Sequence, residues 1–187
     1  MSNTQQGQVT IPLHRPGLRE QLFFFASGII VSVPMAIFFE SALPTLYAFP
    51  ATISVGILAP IIEEFGKAYP LFFRHGETKK SIMNLGLLVG LGFGIVELLE
   101  YVLILQYPII VRIPGLLFHM ASTSIVGYGI ANKKSAAFYM IAVILHMTNN
   151  LAALINPFQF LSIVIVLLTL YISFYLYQET PEKLIPY

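Results

Sequence analysis

Two adjacent carboxylates and a lysine interrupt an apolar stretch of this chain. The segment from Leu58 to Arg74 reads LAPIIEEFGKAYPLFFR, and it carries Glu63, Glu64 and Lys67 near its middle. An ionisable side chain at the centre of a bilayer costs about 2.5–3.5 kcal/mol on insertion scales. A pair of Glu63 with Lys67, four residues apart on a helix, would offset part of that cost but would leave one carboxylate unpaired. The stretch therefore indicates a functional site more than a structural ion pair.

Three later apolar segments each carry an ionisable group with polar neighbours three and four positions further on. The groups are Glu97, His119 and His146, and the neighbours are Glu100 with Tyr101, Ser122 with Thr123, and Asn149 with Asn150. Residues at these spacings share one face of a helix. Counted from the predicted cytoplasmic helix ends at ~1.5 Å per residue, Glu63 and the two histidines lie roughly 16–18 Å deep, and Glu97 roughly 20–24 Å. We therefore expect four helices to present these groups to one hydrated cavity.

Glutamates and histidines that meet in such a cavity can activate water. A buried carboxylate near a like charge can serve as a general base. Because neighbours on a helix point about 100° apart, Glu63 and Glu64 cannot face the same point, and we expect one to act while the other orients a partner or pairs with Lys67. One of the histidines can share a proton or stabilise a developing oxyanion, and Asn150 can donate to that oxyanion. The same carboxylates and imidazoles also suit zinc, but the HExxH motif of the zincins is absent.

Composition places these groups in a membrane protein. The chain has 187 residues, of which 57% are apolar and 10% charged, with a mean hydropathy of +0.79. Soluble domains carry about 25% charged residues. The absence of cysteine excludes a disulfide, a thiol nucleophile and a thiolate metal site. A net charge of +1 gives no indication of a nucleic-acid partner.

We predict an all-α polytopic bundle of six transmembrane helices that forms a single domain, residues 18–178. A polar tail, residues 1–17, precedes it, and residues 179–187 form a C-terminal tail. The first apolar run is too long for a signal peptide and lacks a cleavage site, so we expect it to be retained. The predicted spans are residues 18–39, 51–73, 81–106, 109–131, 135–155 and 158–177.

Basic residues predict the orientation of the bundle. They concentrate at the N-terminus, in the second and fourth loops and in the C-terminal tail. By the positive-inside rule, this distribution predicts that both termini lie in the cytoplasm. We expect the protein to lie in the plasma membrane. The residues are Arg15, Arg19, Arg74, Lys79, Lys80, Lys133, Lys134 and Lys183. Arg112 is the exception, and its position indicates a helix end.

Two backbone features predict how the helices pack. Gly86, Gly90 and Gly94 recur every four residues, and small residues at this spacing allow two helices to approach closely. Pro60 precedes the glutamate pair and is expected to free the Gly56 carbonyl and to kink the second span. Such breaks are tolerated in a membrane where they line a cavity.

Four motifs follow one another along the chain. Residues 63–67 read EExxK, residues 93–97 read FxxxE with Tyr101 four positions on, Arg112 precedes His119, and residues 146–150 read HxxxN. The order of these motifs resembles the PrsW family of intramembrane proteases. The pattern is similar, more distantly, to the CAAX prenyl endopeptidases and bacteriocin-processing proteins, and it covers about residues 51–155. Leu98 stands where the family commonly has Asn, and a single span precedes the glutamate pair.

The resemblance implies a membrane peptidase whose active-site positions are Glu63, Glu64, Glu97, His119 and His146. Its expected partners are the lipid bilayer and a membrane-anchored protein or peptide, such as an anti-sigma factor cut at its first site. PrsW proteins have been classed as metallopeptidases, whereas the CAAX branch is argued to use a glutamate-activated water. We favour Glu63 as the base with His146 and Asn150 at the oxyanion. Zn²⁺ stays open, with Glu97, His119 and His146 as its candidate ligands.

Two other functions stay open. Carboxylates and histidines at the bilayer midplane are also typical of proton relays in small transporters, although no inverted repeat is visible. A non-catalytic scaffold of the same fold would be expected to lose a catalytic residue, whereas every motif position is filled here. The sequence does not indicate an oligomeric state.

Overall fold

The computed structural model describes residues 14–42, 50–73, 78–155 and 159–182, and these residues form a bundle of helices. The α-helices are α1 (Leu18–Ser27), α2 (Val33–Ala42), α3 (Ala51–Ile53), α4 (Ala59–Ala68), α5 (Lys79–Leu99), α6 (Ile109–Ala131), α7 (Ser135–Leu154) and α8 (Gln159–Glu179). Turns of π-helix at Gly28–Ser32, Ser54–Leu58 and Glu100–Ile104 and a 3₁₀ turn at Tyr69–Phe73 continue these helices. Three of the four irregular turns adjoin segments that carry the candidate site.

Among the described residues, five helical runs are long and apolar enough to cross a membrane: Leu18–Ser41, Lys79–Ile104, Ile109–Ala131, Ser135–Leu154 and Phe160–Glu179. The remaining predicted span, residues 51–73, is helical throughout but contains three ionisable residues. Large apolar side chains cover the outer surface of the bundle, as a lipid-facing surface requires. The prediction of an all-α membrane bundle is confirmed. Parts of the predicted tails, residues 1–13 and 183–187, lie outside the described residues.

Helix α6 lies at the centre of the bundle and packs against α4, α5, α7 and α8. The glycine stripe of α5 makes its contact with α6 possible. A Cβ atom added at Gly86 would lie 2.7 Å from the Thr123 carbonyl oxygen, and one added at Gly90 would overlap the His119 carbonyl. The predicted close helix packing is confirmed, and its partner is the helix that carries His119.

The α-helical hydrogen-bond pattern of the second span is interrupted by the π turn Ser54–Leu58, just before Pro60 and the glutamate pair. The Ala59 N–H donates to the Ser54 carbonyl in the i→i−5 pattern of the π turn. This register places the missing N–H of Pro60 opposite the Val55 carbonyl, whereas the α-helical pattern assumed in the prediction places it opposite Gly56. The Val55 carbonyl instead accepts a hydrogen bond from Asn150 Nδ2 at 3.0 Å.

Helix α7 holds the second span at two points before the glutamate pair. Asn150 bonds the backbone before the pair, and the Tyr139 hydroxyl donates to the Ile61 carbonyl at 2.8 Å. On the other side of the span, a Cβ atom added at Gly66 would lie 3.0 Å from the Ser32 carbonyl oxygen of the first helical run. These contacts fix the rotation of α4 and thereby the directions in which Glu63 and Glu64 point.

Candidate active site

Glu64 lies at the centre of a closed hydrogen-bond network. Its side chain is 0% exposed, and its Oε1 accepts from Lys67 Nζ at 2.6 Å and from Ser122 Oγ at 3.1 Å. His146 Nδ1 lies 2.9 Å from the same oxygen. A carboxylate oxygen held by three donors fixes the rotamers of all three partners, so Glu64 organises α4, α6 and α7 around one point.

Lys67 pairs with Glu64 and not with Glu63, which corrects the ion pair considered from the sequence. Lys67 follows Glu63 by four residues and Glu64 by three, and either spacing would allow an ion pair on a helix. Lys67 is fully buried against α6, and Glu64 is the carboxylate on that side. Lys67 Nζ also lies 2.8 Å from His119 Nδ1. Because an ammonium group only donates, His119 Nδ1 is the acceptor.

A second chain of contacts runs from His119 toward the cavity. His119 Nε2 lies 2.5 Å from Glu97 Oε2, and with Nδ1 accepting from Lys67 the neutral ring carries its proton on Nε2 and donates it to Glu97. The other oxygen of Glu97 accepts from Arg112 Nη2 at 3.0 Å. The Arg112 guanidinium carbon lies 3.4 Å from the centroid of the Tyr101 ring. Glu97 is therefore held between a cation and an imidazole.

Arg112 is the site residue that the sequence interpretation missed. It does lie in the first turn of α6, as predicted, but its side chain turns into the bundle and contacts Glu97. Its Nε is buried and has no hydrogen-bond partner in the described part of the chain. The available signal was its spacing of seven residues from His119, which puts both side chains on one face of α6.

Glu63 faces the cavity from which Glu64 is excluded. Its side chain is 17% exposed, and its buried Oε2 finds no hydrogen-bond partner among the described residues. This oxygen lies 3.8 Å from His146 Nε2. Because His146 Nδ1 bonds the Glu64 carboxylate, the neutral ring keeps its lone pair on Nε2, directed toward Glu63.

The cavity beside Glu63 has a volume of about 310 Å³, and most of its polar lining consists of the predicted residues. A second cavity of about 260 Å³ extends along α2 toward Glu40 and Glu100. Val55, Glu63, Glu97 and Tyr101 line both cavities. The first is lined by Glu63, Glu97, His119, His146, Asn149 and Asn150, together with Arg112 and Ser162.

A metal ion fits part of this arrangement. Ligand atoms of Glu63, His119 and His146 all lie within 4.8 Å of one another. An unpartnered carboxylate oxygen and a free imidazole lone pair are donors that zinc takes in proteins. Glu97, a ligand predicted from the sequence, is not in this group, and its two oxygens contact His119 and Arg112. The predicted ligand set remains a prediction.

The two asparagines of α7 make different contacts. Asn149 Oδ1 accepts from Ser162 Oγ at 2.7 Å, so it ties α7 to α8 as a packing amide. Asn150 uses one amide hydrogen on the Val55 carbonyl. The structure thus brings Glu63, Glu97, His119 and His146 together at one cavity and places Asn150 on the cavity wall.

Comparison with known proteins gives one family. The model of the PrsW family intramembrane metalloprotease matches residues 17–177. Neither the curated proteins nor the solved structures gave a match. The matched range includes every residue of the site and runs from just before α1 to near the end of α8.

Proposed function

The chain belongs to the PrsW family of intramembrane metalloproteases, and from that premise we propose that Glu63 and His146 activate a water that hydrolyses a peptide bond of a membrane-anchored protein. The observation that carries this proposal is a Glu63 oxygen that has no hydrogen-bond partner among the described residues, lies 3.8 Å from the His146 Nε2 atom, and belongs to a side chain that lines a polar cavity inside a membrane bundle. An unpaired carboxylate oxygen inside a membrane bundle lowers the stability of the protein. Its presence therefore favours a functional role for Glu63.

Glu63 is assigned the role of general base. It takes a proton from water as the oxygen attacks the scissile carbonyl carbon, and it returns that proton to the leaving amide nitrogen as the C–N bond breaks. Glu64 is assigned a positioning role, because it is shielded from the cavity and holds the His146 ring by Nδ1. With that tautomer, the His146 Nε2 lone pair accepts a hydrogen bond from the water and directs it toward the substrate.

Arg112 is assigned to the developing oxyanion. It lines the same cavity, and its unpartnered Nε is a donor that a substrate oxygen can satisfy. Glu97 and the Tyr101 ring hold the guanidinium in place before substrate binds. Donors fixed in advance near the point where negative charge develops are an effective means of stabilising a transition state.

Zinc, where bound, would be held by Glu63, His119 and His146. It would polarise the scissile carbonyl and acidify a bound water. The second coordination sphere already exists, because Glu64 holds His146 by Nδ1 and Lys67 holds His119 by Nδ1. Zinc and the metal-free route differ in the role of Glu63, which is a ligand in the first case and only a base in the second.

The two cavities together form the proposed substrate path. Because they share Glu63 and Glu97, an extended peptide can run from the α2 side, past the reactive pair, to the α7 and α8 side. Single-span anti-sigma factors and membrane-bound peptide precursors belong to this substrate class. We place the enzyme, one domain over residues 18–178, in the plasma membrane with both termini cytoplasmic, as the basic loops predict.

Cleavage in reconstituted liposomes tests the proposal. A library of single-span substrates is incubated with the wild type, with Glu63→Gln and with His146→Ala, each with and without a zinc chelator. Glu179→Gln, an exposed carboxylate at the end of α8, is the matched control. We expect the wild type and the control to cut and both site variants to fail.

The chelator separates the two chemistries. Loss of cleavage with recovery on added zinc supports the metal route, and cleavage that the chelator leaves intact supports the glutamate-activated water. Cleavage by Glu63→Gln and His146→Ala at the wild-type rate contradicts the proposed site. If no substrate is cut, a proton flux measured in the same liposomes and lost in Glu63→Gln favours the transporter instead.

A further inference from the structure

Asn150 bonds a main-chain carbonyl that the helix itself cannot satisfy. In an α or π pattern the Val55 carbonyl accepts from residue 59 or residue 60. The Ala59 N–H is already bonded to the Ser54 carbonyl, and Pro60 has no N–H. The Asn150 amide therefore occupies the place of a missing backbone donor, at 3.0 Å from the Val55 oxygen.

This bond joins the two elements that carry the reactive pair. Asn150 lies one helical turn after His146 on α7, and Val55 lies eight residues before Glu63 on the second span. The neighbouring Leu151 supports the same approach, since a Cβ atom added at Gly56 would lie 2.5 Å from Leu151 Cδ2. The separation of Glu63 from His146 thus depends on how the break at Pro60 is held against α7.

We propose that Asn150 is a positioning residue that replaces the N–H lost at Pro60, and thereby fixes the distance and direction of Glu63 relative to His146. This role differs from the oxyanion donor predicted from the sequence, in which Asn150 touches the substrate. An unsatisfied carbonyl beside a cavity would draw in water or shift the chain to find a donor. Displacement of a reacting group by about 1 Å can cost on the order of 100-fold in rate.

The distinguishing experiment restores the missing donor. Asn150→Ala, Pro60→Ala and the double variant are compared with the wild type, with Asn149→Ala as the matched control for loss of a neighbouring amide. An alanine at position 60 has an N–H that can reach the Val55 carbonyl. The variants are purified as full chains, and both the melting temperature in detergent and the rate of cleavage in liposomes are measured.

The expected result is a coupling between the two positions. Asn150→Ala should lower the melting temperature and reduce cleavage by about 10- to 100-fold in the Pro60 background. In the Pro60→Ala background the same change should have little effect on either measurement. An Asn150→Ala chain that fails to fold and folds again with Pro60→Ala would support the proposal equally.

Two outcomes overturn it. The first is an equal loss of melting temperature from Asn150→Ala in both backgrounds, which would show that the Val55 bond is not the contact that matters. The second is a double variant that regains its stability but cuts as slowly as Asn150→Ala, which would assign Asn150 to the oxyanion. The activity measurement depends on the proposed function, whereas the coupling in melting temperature decides the role of Asn150 even if no substrate is cut.

Discussion

Glu63 and Glu64 are neighbours in the chain, yet they lie in two different environments. The carboxylate of Glu64 is 0% exposed and has three hydrogen-bonding neighbours at Oε1, from Lys67, Ser122 and His146. The carboxylate of Glu63 is 17% exposed and lines both cavities. Each has a buried Oε2 without a partner in the described chain, but only the Glu63 side chain lines a cavity.

The difference shows how one helical step can separate positioning from reaction. About 100° of rotation turns Glu64 into the packed interface of α4, α6 and α7, and leaves Glu63 at the cavity. We call the packed interface around Glu64 and Lys67 the closed side, and the cavity lined by Glu63 the open side. The closed side fixes the two histidine rings by their Nδ1 atoms, and the open side presents the lone pair of His146. Substitutions on the open side should therefore change activity, and substitutions on the closed side should change stability first.

The largest effect is expected from Glu63→Gln. The amide keeps the size of the side chain but cannot accept the proton from water, so the cleavage rate should fall by about 10²–10⁴-fold. The free energy of unfolding should hold or rise, because the variant removes a buried carboxylate whose Oε2 accepts no hydrogen bond from the described residues. Initial cleavage rates and thermal unfolding in detergent measure the two quantities. A loss of stability as large as the loss of activity would contradict the distinction between the two glutamates.

Breaking the closed side should cost stability. Glu64→Ala leaves Lys67 as a buried cation without its carboxylate, which should lower the free energy of unfolding by about 3–5 kcal/mol. Denaturant unfolding in micelles measures this loss. The matched variant is Glu64→Gln with Lys67→Met, which removes both charges and should recover most of the stability. If the double variant is as unstable as Glu64→Ala, the cost does not come from the unpaired charge.

The helices of this bundle were predictable because their signals are local. The predicted spans at residues 51–73 and 109–131 coincide with the observed helical runs, and the others differ from them by a few residues at their ends. The glycine stripe was informative for a similar reason. Glycine at every fourth position leaves one helix face without side chains, so another helix can approach that face closely. Its partner, α6, was not predictable, because nothing in the stripe identifies the helix that fills it.

The residues of the candidate site were predictable, but several of their pairings were not. Counting residues along each helix predicted similar membrane depths for Glu63, Glu97, His119 and His146. The structure brings these four residues together. Which glutamate takes Lys67 depends on the rotation of α4, which contacts from Asn150 and Tyr139 set from another helix. The Val55 carbonyl was missed because a π turn shifts the hydrogen-bond register by one residue.

A smaller effect is expected where α5 supports the closed side. Gly90→Ala places a methyl group into the His119 carbonyl, so α6 must move away from α5. Overpacking of this kind typically costs about 1–3 kcal/mol. The movement should also separate His119 from Glu97 and lower the cleavage rate per folded molecule. Thermal unfolding together with cleavage normalised to the folded fraction measures both effects.

Gly92→Ala is the control for that change. Its added Cβ overlaps the Phe25 carbonyl of α1, so the steric conflict is similar but falls on the opposite side of α5. We expect a comparable loss of stability and a smaller loss of normalised activity. Equal losses of activity in the two variants would show that any disturbance of α5 reaches the site, and that α6 has no special role in positioning His119.

The smallest effect is expected from Arg112→Lys on the open side. Lysine keeps the positive charge near Glu97 but loses the Nε donor and the planar stack on Tyr101. Removing an oxyanion donor outright typically costs about 10²–10³-fold in kcat, so a variant that keeps its charge should lose about tenfold. The unfolding free energy should change by about 1 kcal/mol or less, the scale of a partly exposed cation–π contact.

Arg19→Lys, exposed on α1, controls for the substitution itself. A fall in kcat at constant KM would support a contact that Arg112 makes in the transition state. A rise in KM alone would assign Arg112 to substrate binding, and another donor would then have to stabilise the oxyanion.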